Sequence, residues 1–500
     1  MKLRLILCLV AATLTASAEV SLPKLFSSHM VLQRDMPIHI WGSGDPEEKI
    51  TVDFHGLTAS TSADNTGRWS VYLPAQSAGG PFTLAIHATN TLQFEDILIG
   101  DLWFASGQSN MEMPLAGFPG NAVVQDADKE IAAANYPDIR LLLIDRDAAD
   151  YPLEDVKSAT GWSSCTPETA KNFSAVAYFF ARDLQKAQGK QHVPIGLIDS
   201  TWGGTPAEAW TSLDALGADA ALMPVFAARA EMMNSETTQI RLDEIDKQAR
   251  AQGKPPTPGR DWHPNPSSWR PAALYNAMVA PFTPLPIRGV IWYQGESNSS
   301  HAGLYDRIFP AMIQDWRNQW HQGNFPFLFV QISAFASTPK EDWGMLRDAQ
   351  RKSLNLTNTG MAVTIDIGNE HNVHPANKQA VGERLSLLAR HLAYGENIVS
   401  SGPLFNLAYP SEGTMRVWFS NAAGLTSKGS SLEGFEIAGH DAVFVPATAH
   451  IEGETVIVAS ASVPLPEYVR YAWPNFPKAN LYNGAGLPAS TFTSFQPPPR

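Results

Sequence analysis

The chain has 500 residues, enough for about three domains at roughly 150 residues each. Hydrophobic residues make up 44% and charged residues 17%, which excludes a disordered, collagen-like or coiled-coil protein. Lys+Arg total 36 against 49 Asp+Glu, a formal charge of −13, so nucleic acid is not an expected partner, because phosphate binding needs a basic footprint.

The first element is a leader. Lys2 and Arg4 precede an apolar run from Leu5 to Leu14, and Ala16-Ser17-Ala18 is a small-residue cleavage signal. The run is too short to anchor in a bilayer, and no later stretch approaches about 20 consecutive apolar residues. Residues 1–18 therefore read as the signal peptide of a secreted or periplasmic protein with no membrane anchor. Its removal takes two positive charges and no acid, leaving −15. Cys8 leaves with the leader, and Cys165 is then expected to be a buried small hydrophobe without a disulfide partner.

Residues 19–98 read as a β-sandwich-like domain. Ile50, Val52 and Phe54 alternate with polar residues, as do Trp69, Val71 and Leu73 after the turn Asp64-Asn65-Thr66-Gly67. Residues 99–395 change texture to buried apolar runs alternating with helical patterns. Runs at 193–198, 289–293, 327–332 and 362–365 predict buried strands, and 174–188 predicts a helix stopped by Gly189. This is the pattern of an α/β domain with a mostly parallel sheet, whose sites gather at the carboxyl ends of its strands. A helix-forming and then proline-rich segment at about 225–271 reads as an insertion, either a cap on the site or a surface excursion. Residues 396–500 return to β alternation, as in Met415, Val417 and Phe419, and predict a second sandwich-like domain.

Four loops after buried runs carry chemistry. Gly100-Asp101-Leu102-Trp103-Phe104-Ala105-Ser106-Gly107-Gln108-Ser109-Asn110 leads a strand through a glycine turn to Ser109, placed as either a nucleophile or a helix cap. Trp202-Gly203-Gly204 exposes backbone N–H groups, and Gln294-Gly295-Glu296-Ser297-Asn298 offers side-chain amides. His374, in His371-Asn372-Val373-His374-Pro375, has the best setting among 13 histidines for the base a serine needs. Glu370, His371 and His374 do not have metal-site spacing, and no phosphate-cradling or dinucleotide fingerprint is present, so neither a metal nor a cofactor is expected.

In their order these motifs resemble the sialate O-acetylesterase family of SGNH-type carbohydrate esterases. The likeness rests on GDLWFASGQSNMEMPL from Gly100, IGLIDSTWGGTPAEAW from Ile195, ALYNAMVAPFTPLPIRGVIWYQGESN from Ala273 and HPANKQAVGERL from His374. LPKLFSSHMVLQRDMPIHIWG from Leu22 and YVRYAWPNFPKANLYNGAGLPASTF from Tyr468 extend it to the flanks. It implies a flavodoxin-like, three-layer parallel-sheet catalytic domain between the two β domains, acting on an O-acetylated glycan. It implies Ser109 as nucleophile and His374 as general base. The oxyanion hole it implies takes the N–H groups of Ser109 and Gly204 and the amide of Asn298, with Gln294 as the alternative. Many SGNH esterases carry Asp-x-x-His, but the position three before His374 is His371. A Ser-His dyad is favoured, with Asp366 the best third member; Glu370 or Glu296 could also fill that role. Trp202, Tyr293 and Glu296 are expected near the sugar. Arg260, Arg270 and Arg384 are candidates for an anionic sialic acid. Acetylesters of plant xyloglucan or xylan are the competing substrates, and a non-catalytic glycan-binding protein is the reading from another class. No pattern in the chain specifies an oligomeric state.

Overall fold

Uninterrupted apolar runs mark strands buried on both faces. The computed structural model, which describes residues 19–189, 191–227, 243–253 and 266–496, assembles six such strands into one parallel sheet. They are β7 (Thr91–Gly107), β8 (Tyr136–Leu143), β10 (Ile195–Thr201), β11 (Gly289–Tyr293), β12 (Phe327–Gln331) and β13 (Thr359–Val363). The spatial order is β13-β12-β11-β7-β10-β8, with β9 (Ser163–Cys165) antiparallel at the edge. Every residue of β10, β11 and β12 is buried. The leader and most of the 225–271 insertion lie outside the described residues.

Register places the site. Gly107 at the end of β7 pairs with Thr201 of β10 on one side and Tyr293 of β11 on the other. Three strands therefore stop level, and the loops beginning at 108, 202 and 294 emerge side by side. A Cβ on Gly107, at φ 136°, would stand 2.2 Å from the Tyr293 carbonyl oxygen, so only glycine lets the strands meet there. The helix Ala175–Gln188 packs against the helix Lys378–Leu392. Ser174 caps the first, accepting a bond from the Ala177 N–H, and Gly189 at φ 61° ends it.

The amino-terminal strands are β1 (Val31–Gln33), β2 (Ile38–Ser43), β3 (Lys49–Phe54), β4 (Leu57–Ser62), β5 (Arg68–Leu73) and β6 (Gly79–His87), of which β1, β3, β4 and β6 join the same sheet. β7 pairs with β6 and β1 through its first half and with β10 and β11 through its second, so residues 98 and 99 sit inside one strand. β2 and β5 form a separate antiparallel pair. Their alternation, with Trp69, Val71 and Leu73 buried between exposed residues, is the period-2 pattern read from the sequence. The carboxy-terminal residues form two four-stranded sheets and a two-stranded one. Arg347, fully buried on the helix Trp343–Lys352, ties them to the α/β sheet by donating to the Ala472 and Pro474 carbonyls at 3.0 and 2.7 Å. Cys165 is buried and its thiol is pushed up to about 12 by desolvation, so it is a poor nucleophile. Among the described residues no helix is long and apolar enough to cross a membrane.

Candidate active site

Ser109 opens the short helix Ser109–Glu112, immediately beyond the end of β7. His374 lies on the loop between β13 and the helix Lys378–Leu392. Its Nε2 is 2.9 Å from Ser109 Oγ, within proton-transfer range. Residues 265 positions apart in sequence are thus brought together. The Phe118 ring meets the imidazole edge-on, with centroids 5.3 Å apart. Burial, and then the ammonium of Lys378, push His374 down to about 4. A neutral imidazole near neutral pH is the form that can accept the serine proton.

The donor loops close around the serine. A Cβ on Gly203 would lie 3.2 Å from Ser109 Cβ and 2.7 Å from Glu112 Oε2, so the Trp-Gly-Gly backbone rests directly against Ser109. Glu112 holds it there by accepting the Gly203 N–H at 2.9 Å. Arg146 Nε in turn donates to Glu112 Oε1 at 2.6 Å. Desolvation raises the Glu112 carboxyl, and Arg146 opposes that rise. The N–H groups of Ser109 and Gly204 donate to no acceptor among the described residues. Trp202 is half-buried and donates its N–H to the Gly107 carbonyl.

The two candidate amides have different surroundings. Gln294 Nε2 donates to the Thr205 carbonyl at 3.1 Å and to Asn298 Oδ1 at 2.6 Å, and its Oε1 accepts from Tyr305. Both amide hydrogens are spent, which removes Gln294 as an oxyanion donor. Asn298 Oδ1 also accepts from the Ala207 N–H, and Nδ2 donates to Glu208 Oε2 at 2.8 Å. One Nδ2 hydrogen is left over, on a side chain fixed to the loop that carries Gly204. The Trp269 indole N–H donates to the Gly204 carbonyl at 2.6 Å, so the returning end of the insertion seats on this loop.

Several expected roles are corrected. Asp366 does not hold the imidazole. Its carboxylate is clamped by Arg384, with Nη1–Oδ1 at 2.7 Å and Nη2–Oδ2 at 2.8 Å, and His374 Nδ1 is buried with no hydrogen-bond partner among the described residues. Glu370 instead stands 3.9 Å from exposed His371. Tyr293 is wholly buried, because β11 ends inside the sheet, and cannot meet a sugar. Glu296 also faces inward: its Oε1 accepts from Asn110 Nδ2 at 2.6 Å, and its Oε2 is buried. Arg270 and Arg384 are engaged with Asp150 and Asp366, and Arg260 lies outside the described residues.

Asn110 is the residue the motif reading missed. Its Nδ2 donates both to Glu296 and, at 3.0 Å, to the carbonyl of Val373, while its Oδ1 accepts from Lys378 Nζ. One side chain thus joins the position after Ser109 to the residue before His374 and to the Gln-Gly-Glu-Ser-Asn loop. Lys378 is fully buried and pushed down to about 7 by desolvation, with Glu296 opposing. Its spacing of four residues from His374 at a helix start was the available signal.

A serine hydroxyl on a neutral imidazole, beside unspent N–H donors at a parallel-sheet edge, is a layout suited to acyl transfer. Comparison with known proteins places the enzyme among the carboxylic ester hydrolases. The family model described as "Carbohydrate esterase, sialic acid-specific acetylesterase" matches residues 257–390, a span that includes Asn298 and His374. The chain is 31% identical to a human sialate O-acetylesterase, covering 94% of this chain and 91% of that one. It is 30% identical to the rat sialate O-acetylesterase, covering 98% and 97%. A crystal structure of a carbohydrate acetylesterase from Xanthomonas citri superposes with a TM-score of 0.82 at 38% identity, covering 96% of this chain and all of that one. The chain belongs to the sialate O-acetylesterase family.

Proposed function

We propose that this protein is exported and removes O-acetyl groups from glycans, sialic acids foremost, through an acetyl-serine intermediate. The observation that carries the reading is the 2.9 Å approach of His374 Nε2 to Ser109 Oγ. Export rests on the leader pattern of residues 1–18. The catalytic unit is of SGNH type, spanning about 99–395 between β units of about 19–98 and 396–500.

His374 takes the hydroxyl proton as Ser109 Oγ bonds to the acetyl carbonyl carbon. The negative charge that develops on the carbonyl oxygen is met by the N–H groups of Ser109 and Gly204 and the free amide hydrogen of Asn298. The bond to the sugar oxygen then breaks, and that oxygen leaves with the proton from His374. Water repeats the sequence on the acetyl-serine, releasing acetate. The pair works as a dyad, since Asp366 is committed to Arg384. Trp202, half-buried beside the serine loop, contacts the sugar.

The Xanthomonas citri relative is a carbohydrate acetylesterase, a wider class than sialic acids, and a second reading within that class takes acetylated plant xyloglucan or xylan as the substrate. Acetate release from a panel of O-acetylated sialic acids and acetylated xyloglucan and xylan oligosaccharides tests both. Turnover confined to the sialic acids supports the first reading, and turnover confined to the plant sugars overturns it in favour of the second. Inactivity of the wild type on every acetyl ester would overturn the esterase reading itself.

A further inference from the structure

A cavity of about 610 Å³ lies away from the catalytic pair, where β2 and β5 face the α/β part of the chain. One wall is aromatic. Tyr72, His39 and Trp41 form a ladder, with ring centroids 4.2 Å apart between the first two at 4° and 4.8 Å between the last two at 25°. His39 is fixed by a 3.0 Å bond from its Nδ1 to the Pro284 carbonyl. Tyr72 caps the ladder and is 64% exposed, so its inner face is covered by His39 and its outer face is open.

The opposite wall is polar. Glu154 and Asp155 come from the loop after β8, and Asp64 and Arg68 from the turn that leads into β5. Arg68 is paired with Glu154. Lys24 pairs with Asp155 at 3.0 Å, so three acids stand against two cations that are both engaged; with a chain charge of −13 this disfavours an anionic ligand, and Asp64 Oδ2, which accepts no bond among the described residues, can accept from a hydroxyl group. Flat apolar rings beside hydroxyl acceptors, in a cavity of this size, fit the alternating C–H faces and hydroxyls of a sugar chain.

We propose that this groove is a second, non-catalytic glycan site that holds a neutral oligosaccharide with one ring stacked on Tyr72. The loop that supplies Glu154 and Asp155 also supplies Arg146, which braces the Glu112–Gly203 contact beside the nucleophile, so the groove and the catalytic site share a structural element. The inference deepens the reading of the protein as a glycan esterase, and it can fail separately from that reading.

Affinity electrophoresis of the full chain carrying Ser109→Ala tests it, in gels containing non-acetylated xyloglucan, soluble arabinoxylan, hydroxyethyl cellulose or polysialic acid. The expected result is retardation by at least one neutral polymer and none by polysialic acid. Adding Tyr72→Ala should weaken that retardation about tenfold, and Tyr72→Trp, which keeps the stacking face, should preserve it. Thermal unfolding of each variant, unchanged from its parent, keeps the loss assigned to the groove. Absence of retardation by all three neutral polymers, retardation by polysialic acid alone, or equal retardation of the Tyr72→Ala protein overturns the proposal. Hydrolysis of 4-nitrophenyl acetate by the wild type reports on the esterase reading independently.

Discussion

His374 presents Nε2 to Ser109 Oγ at 2.9 Å, while its other ring nitrogen, Nδ1, is buried without a hydrogen-bond partner among the described residues. Nothing negative therefore stabilises the protonated ring, and burial pushes it down to about 4. A base must be neutral to accept a proton, so activity should persist as pH falls through 6.5, the ordinary histidine value, and fail only near 4. The measurement is kcat/KM for 4-nitrophenyl acetate from pH 3.5 to 8. An acid limb centred near 6.5 would contradict the buried, unpaired geometry. Ser109→Ala should lower kcat by at least about 10⁴-fold on the same substrate.

Asp366 and Arg384 form a two-point ion pair with both side chains largely buried. If the carboxylate oriented the catalytic imidazole, Asp366→Asn would cost about 10⁴-fold in kcat. The expected outcome is different. Asp366→Asn should leave kcat within about tenfold of the wild type and lower the unfolding free energy by about 2–3 kcal/mol, because Arg384 loses its charged partner. Denaturant unfolding and steady-state kinetics on the same preparation separate the two effects.

Among the described residues Lys378 has no direct carboxylate partner: its ammonium reaches Glu296 through Asn110. Its folded value, pushed down to about 7, lies below the ordinary 10.5, so the folded state binds this proton less tightly than the unfolded chain does. Below pH 10.5 the buried charge thus works against folding, and most fully below 7. Lys378→Met should therefore raise the melting temperature at pH 6. The same change removes a positive charge facing His374, so the acid limb of kcat/KM should move upward from about 4. A downward or unchanged limb would show that Lys378 does not act on the base electrostatically.

Much of the fold was legible because parallel strands buried on both faces leave uninterrupted apolar runs, and the turn after each run carries a distinctive string. The strand Gly289–Tyr293 was read to the residue, and Ser174 and Gly189 bounded their helix as predicted. Ser109 and His374 came from motif resemblance, and the geometry brings them together. Asp366 was misplaced because a strand-end acid looks like a triad member, and nothing local announces that Arg384, 18 residues later, claims it. Tyr293 was misread for a related reason: an aromatic at a strand end can point into the sheet as readily as out of it. The spacing of Lys378 from His374 was a local signal, but its link through Asn110 to Glu296 was not legible, since those partners are 268 and 186 residues apart and only the closed sheet makes them neighbours.

Asn298 offers the sharpest test of the donor assignment. Its Oδ1 is held by the Ala207 N–H and Gln294, and one Nδ2 hydrogen is held by Glu208, leaving a single hydrogen on a side chain that cannot swing away. A preorganised donor of that kind stabilises charge in the transition state and does little for the bound ester. Asn298→Ala should lower kcat by about 10²–10³-fold, equivalent to about 2.7–4 kcal/mol, with KM changed little. Glu208→Gln gives the comparison that separates chemistry from folding. Burial raises the Glu208 carboxyl, and a glutamine can still accept from Asn298 Nδ2. The Gln variant should therefore keep kcat within about tenfold of the wild type, since the donor's position is retained. Steady-state kinetics of both variants on one acetyl ester, with melting temperatures measured alongside, decide the matter: an Asn298→Ala protein that melts like the wild type and turns over at the wild-type rate would remove Asn298 from the oxyanion site.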